Sequence, residues 1–221
     1  MKQETTAKNS RRRKTGNVLI VLGLVLLLGA AGLTAYNIWD GIRAARESEQ
    51  IIGKMDEILP DGLRAPDDAQ NALQRIGGQD LTMPTEEIDG YEYIGKLIIP
   101  SLDLELPVMK EWDYTRLKIS PCRYSGNYKT DDMVICAHNY ARHFSPIKSI
   151  GIGAEVDFLT VDGVLYEYTV SNRETLAPTS VEEMMNNENN SESLADWDLT
   201  LFTCNTGGQT RCAVRCERTK E

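Results

Sequence analysis

The chain is short of positive charge: 24 Lys and Arg stand against 33 Asp and Glu, for a net charge of −9. A phosphate-binding surface needs the reverse balance, so no nucleic-acid partner is expected. Histidine is scarce too, with only His138 and His143, and the five cysteines include no Cys-x-x-Cys pair, which speaks against a thiol redox role. Cys212, Cys216 and the histidines are metal-ligand types, but their spacings fit no common zinc pattern, and neither a metal nor a cofactor is expected. Charge is missing altogether from residues 15–39. Within that gap, "GNVLIVLGLVLLLGAAGLTAYNIW" supplies 24 residues, enough for a helix to cross a hydrocarbon layer of roughly 30 Å.

What charge there is lies unevenly. Residues 1–14 carry +5, which leaves −14 for the rest. A basic cluster just before an apolar span puts the N-terminus in the cytoplasm and everything after Trp39 outside, with Tyr36 and Trp39 suited to the outer interface. The competing reading is a signal peptide cleaved near Ala30-Ala31-Gly32. The apolar run is longer than the roughly 7–15 residues such peptides use, so an uncleaved anchor is expected.

The organisation that follows is a basic tail over 1–15, a transmembrane anchor over 16–39, a helical, polar stalk over 40–85 and a folded domain over 86–221. The stalk has apolar positions at Ile42, Ile51, Ile52, Met55 and Ile58 among good helix formers, and "AQNALQRIGG" reads as a short helix closed by glycine. From Glu86 the pattern changes to short β-runs: "YEYIGKLIIP", "LELPVM", "DMVICAH", "AEVDFLT", "VLYEYTVSNRETL", "LTLFTC" and "CAVRCER". They predict an all-β sandwich or closed barrel. Asp162-Gly163 predicts a two-residue type I′ hairpin, and "SVEEMMNNENNSESLADW" a short helix followed by a polar loop.

The cysteines sort by position. Period 2 puts Cys212, Val214 and Cys216 on one face of the last strand and Arg211 and Arg215 on the other, so those two thiols read as core. Cys136 inside "MVICAH" reads likewise, and Cys122 beside Pro121 is uninformative. Cys204 differs, because a strand stops there and Asn205-Thr206-Gly207-Gly208 begins. A thiol at such a rim can act as a nucleophile if a base or cation lowers its pKa from about 8.5. His138 also ends a strand, whereas His143 reads as a surface or capping residue. Arg211 opens the strand after the cysteine loop, which turns its guanidinium back towards Cys204. Cys, His and Arg could then serve as nucleophile, acid/base and oxyanion partner of acyl transfer, although a surface ion pair would explain Arg211 equally well.

Thr200-Leu201-Phe202-Thr203-Cys204 resembles the Thr-Leu-x-Thr-Cys signature of the sortases, membrane-anchored cysteine transpeptidases of Gram-positive bacteria. "VICAH" is similar to their strand leading to the catalytic histidine, and "RCAVRCER" to their arginine-led last strand. The likeness runs from about Tyr91 to Arg218. It implies an eight-stranded sortase-like β-barrel with short helices, making 86–221 the catalytic domain. It further implies catalytic His138, Cys204 and Arg211, with Thr203 and Arg211 touching the substrate and Arg215 a minor rival for the arginine role. The substrate would be an LPxTG-like sorting-signal peptide of a surface protein. Its acyl group would pass through a thioester to the amine of a cell-wall precursor or a protein. A purely hydrolytic cysteine peptidase and an inert surface-binding module are the alternatives. No Asp-Pro-aromatic lid appears in the stalk, and no second span follows Arg218, so the pilus-polymerising class is not expected.

Overall fold

The structure is a computed structural model that describes residues 3–60, 63–66, 81–185 and 197–219, with side chains from Gly16 onward. The "AQNALQRIGG" helix and the polar loop over 186–196 lie outside the described residues. Helix α1 spans Gln3–Ile58, and contacts divide the chain into two units, Met1–Ile42 and Arg43–Glu221. In the first unit the large apolar side chains from Val18 to Trp39 are mostly exposed, and the helix is long and apolar enough to cross a membrane.

In the second unit nine strands form one sheet: β1 (Glu86–Ile88), β2 (Tyr91–Ile99), β3 (Leu104–Met109), β4 (Cys122–Ser125), β5 (Met133–Cys136), β6 (Glu155–Thr160), β7 (Leu165–Leu176), β8 (Leu199–Cys204) and β9 (Arg211–Arg218). A short helix α2, Val181–Met185, lies between β7 and β8. The strand order is β1-β2-β3-β4-β5-β8-β9-β7-β6, and β6 pairs back onto β2. Strands β2 to β9 therefore close an eight-stranded barrel, to which β1 adds a short strip beside β2. All pairings are antiparallel except β3–β4 and β5–β8. Closure brings β3 and β6 against opposite edges of β2 at Gly95, where a Cβ would sit 2.3 Å from the Leu159 carbonyl oxygen. Only glycine fits so close an approach.

Alternation along the strands separates two cores. Ile135, Leu201, Val214 and Cys216 point inward with Phe158 and Tyr168, while Val134, Cys136, Phe202 and Ala213 face outward into a second cluster with Met184, Ile51 and Met55. The outer cluster draws on the segment read as a stalk. Ala44, Ser48, Ile51 and Met55, spaced four, three and four apart, make one buried helical stripe, whereas Ile42 and Ile58 stay half exposed. The strand pattern missed β1 and β4, which are only three and four residues long. The β6–β7 hairpin forms where expected, but Asp162 keeps a negative φ. Gly163 is left-handed at φ 84°, its N–H bonded to Thr160 O at 3.0 Å, and Thr160 N donates to Val164 O at 2.9 Å. The loop is thus a three-residue turn ending in a glycine bulge, because valine and aspartate both stay out of the positive-φ region that type I′ demands of two residues.

Candidate active site

Parallel β5 and β8 pair Cys136 with Phe202, and the pairing runs on past the end of β5. Ala137 N donates to Phe202 O at 3.2 Å, and Thr203 Oγ1 donates to Ala137 O at 2.8 Å. Continued two residues, the same register leads to His138 on one strand end and Cys204 on the other. Alternation places both on the outward row, since Ile135 and Leu201 are in the barrel core while Cys136 and Phe202 face out. Both are half-buried.

Arg211 is the β9 partner of Cys204. The intervening loop is tight: Gly208 N donates to Asn205 O at 2.8 Å and Asn205 N to Thr210 O at 2.9 Å, with Gly207 at φ 85° in the third position of the first turn. Such a positive φ is the type II pattern and favours glycine. The Arg211 guanidinium uses Nη1 on the loop carbonyls of Gly208 (2.9 Å) and Thr210 (3.2 Å). Its other nitrogens are thereby left for an incoming oxygen.

Arg215, on the same face of β9, is held differently. It is buried, with Nε on the Glu174 carboxylate at 2.7 Å, Nη1 on Thr200 Oγ1 at 2.8 Å and Met184 O at 3.1 Å, Nη2 on Glu183 O, and its Cζ 5.1 Å from the centroid of the Trp197 ring. A buried guanidinium with four of its five N–H groups so engaged holds α2 to the barrel.

Two other expectations change. Thr203, expected against the peptide, is buried with its hydroxyl spent on Ala137 O, because the pleat turns it away from Cys204. It ties the two strand ends together. His143 is not a surface residue but fully buried, its Nε2 3.3 Å from Ser48 Oγ on α1. Burial, joined by neighbouring His138 and opposed by the Ala44 backbone, pushes it down to about 4, so it is neutral at physiological pH.

The remaining thiols are free and buried. Cys122 and Cys136 face each other across β4–β5, and burial drives both up, Cys136 to about 12. They stay protonated and inert, as the alternation on β9 also requires of Cys212 and Cys216. An aromatic run, Trp112 to Tyr124 (5.1 Å) to Phe202 (5.2 Å, edge to face), leads from half-exposed Trp112 to the outward row. Among the described residues no group of three His, Cys, Asp or Glu converges as a metal site.

The sortase-domain family model matches residues 97–219. Among solved structures, the chain resembles sortase C-1 from Streptococcus pneumoniae (18% identity over 78% of this chain and 99% of that one, TM-score 0.52). It also resembles a Clostridium perfringens sortase D5 transpeptidase (13% identity over 79% and 97%, TM-score 0.51). No curated protein sequence matches. The two structures carry different sortase letters, so the shared fold leaves the class open. With a barrel of the expected topology and a family match over more than half its length, the chain belongs to the sortase family.

Proposed function

We propose that the protein is a membrane-anchored cysteine transpeptidase in which Cys204, His138 and Arg211 cleave an LPxTG-like sorting signal and transfer its acyl part to an amine. The Cys204 thiolate attacks the carbonyl carbon after the threonine, and the oxyanion is held by the free nitrogens of Arg211. The C–N bond then breaks as the His138 imidazolium gives its proton to the departing amine, leaving a thioester. An amine of a cell-wall precursor or a protein attacks the thioester, its proton passes to His138, and the Cys204 thiolate leaves. The observation that supports this reading is the parallel β5–β8 register, whose continuation two residues beyond Cys136 and Phe202 leads to half-buried His138 and Cys204. Anchored by one span with the N-terminus cytoplasmic, the barrel would meet exported clients outside the cell, consistent with the basic residues before Gly16.

The test is incubation of the full chain in detergent micelles with an LPxTG-type peptide, with and without an amine acceptor, and mass spectrometry of the products. A ligated product that requires the amine, and that Cys204→Ala and His138→Ala abolish, is expected. Hydrolysis alone would make the protein a peptidase, and loss of the acyl adduct in a Cys122 or Cys136 variant instead of Cys204→Ala would overturn the assignment.

A further inference from the structure

His143 is a buried titratable group for which the reaction has no use. Its surroundings are specific. The Ser48 hydroxyl donates to Ile119 O at 3.1 Å, so its oxygen is left to accept from His143 Nε2–H at 3.3 Å. Nδ1 is buried without a hydrogen-bond partner, so the neutral tautomer with its proton on Nε2 is the one this arrangement accommodates. Tyr140 lies between the two imidazoles, its centroid 5.4 Å from His143 and 5.0 Å from His138, tilted 55° and 39°. The loop backbone is wound on the same residues: His143 N and Ser145 N both donate to Tyr140 O at 3.1 Å, and Phe144 N donates to His138 O at 3.2 Å. Phe144 in turn is fully buried in the barrel core.

We propose that Ser48, His143 and Tyr140 form a positioning bracket for His138, in which α1 fixes the His143 ring, that ring braces Tyr140, and Tyr140 sets the plane of the imidazole beside Cys204. This rests on the acyl-transfer reading above and makes the segment after the membrane span part of the catalytic unit. A phenylalanine at 143 would fill the same space but could not be held by Ser48. A charged neighbour would disfavour the imidazolium that His138 must form, and burial keeps His143 neutral. The adjacent Arg142 turns away to Glu49 (3.7 Å) and Asp103 (3.8 Å), while Lys148 of the same loop donates to Asn139 Oδ1.

The chain has two histidines, so histidine-selective ¹⁵N labelling of the full chain in micelles gives two imidazoles, assigned by the loss of one in His143→Phe. In Ser48→Ala and Tyr140→Leu the His138 titration midpoint and nitrogen shifts should move, and kcat for the sorting peptide should fall about tenfold with KM nearly unchanged, the mark of a misplaced group and not of lost binding. Ser48→Thr and Tyr140→Phe, which keep the hydroxyl and the ring, should restore wild-type behaviour. Tyr140 is half-exposed, so Tyr140→Leu folds even if changes at buried Ser48 do not. Superimposable His138 titrations in wild type, Ser48→Ala and Tyr140→Leu would overturn the bracket, as would a Tyr140→Phe defect equal to that of Tyr140→Leu. If the wild type turns over no peptide, the acyl-transfer reading fails while the titrations still decide the bracket.

Discussion

Two arginines on the same face of β9 invite a separation of roles by experiment. Arg215→Met keeps the bulk of the side chain but removes its charge and donors. It leaves the Glu174 carboxylate, whose side chain is 26% exposed, without its partner, and frees Thr200 Oγ1 and the Glu183 and Met184 carbonyls of α2. Breaking a buried ion pair costs about 3–5 kcal/mol, and the partial exposure of Glu174 pulls the figure to the lower end, about 3 kcal/mol. For a chain of this size that lowers the melting temperature by about 6–12 °C. A five-residue helix has no stability of its own, so α2 loosens as well. Adding Glu174→Gln should return about 1 kcal/mol, because no carboxylate is then stranded. Arg211→Met should do the converse. Its bonds are to exposed loop carbonyls and its removal costs under about 1 kcal/mol of stability, but the loss of an oxyanion donor should lower kcat about 10²-fold. Thermal melts by circular dichroism and peptide turnover well below the melting point read both quantities on the same preparations. If Arg215→Met melted like wild type and lost all turnover while Arg211→Met stayed active, the roles would be exchanged and the geometric reasoning refuted.

Brief iodoacetamide treatment at neutral pH should give one adduct per chain, on Cys204, and four more only after denaturation; rapid labelling of Cys136 in the folded protein would contradict its burial and its pKa of about 12. Acidification from pH 6.5 to 4 should cost stability through His143, because over that range the unfolded chain binds a proton that the folded chain refuses. The loss amounts to about 3 kcal/mol for a shift from 6.5 to about 4. Asp157, raised to about 6 by desolvation and then by Glu155, works oppositely, favouring the folded state as pH falls through the same window. The His143 share is therefore read as the difference between wild type and His143→Phe in urea titrations at pH 4, 5 and 7, and parallel curves would refute it.

Local chemistry and tertiary pairing decide different parts of this molecule. The charge-free run over 15–39, the strand alternation that buries Cys212 and Cys216, and the turn residues after Cys204 are legible because each depends on neighbours within a few positions. Cys204 and Arg211 belong to the same class, since they end and begin the two arms of one tight hairpin and must come together if it forms. The His138–Cys204 pairing is not of that kind. It depends on β5 and β8, far apart in the chain, lying parallel in one register, and no periodicity encodes which strands become neighbours; the sequence offered only two strand ends able to meet at one rim and the resemblance of "TLFTC" and "VICAH" to a known family. The burial of His143, the inward turn of Thr203 and the burial of the Arg215 guanidinium depend likewise on what closes over them: α1, the parallel strand pair and α2. A polar side chain reads as surface in a sequence until another element covers it, and only the closed barrel shows which were covered.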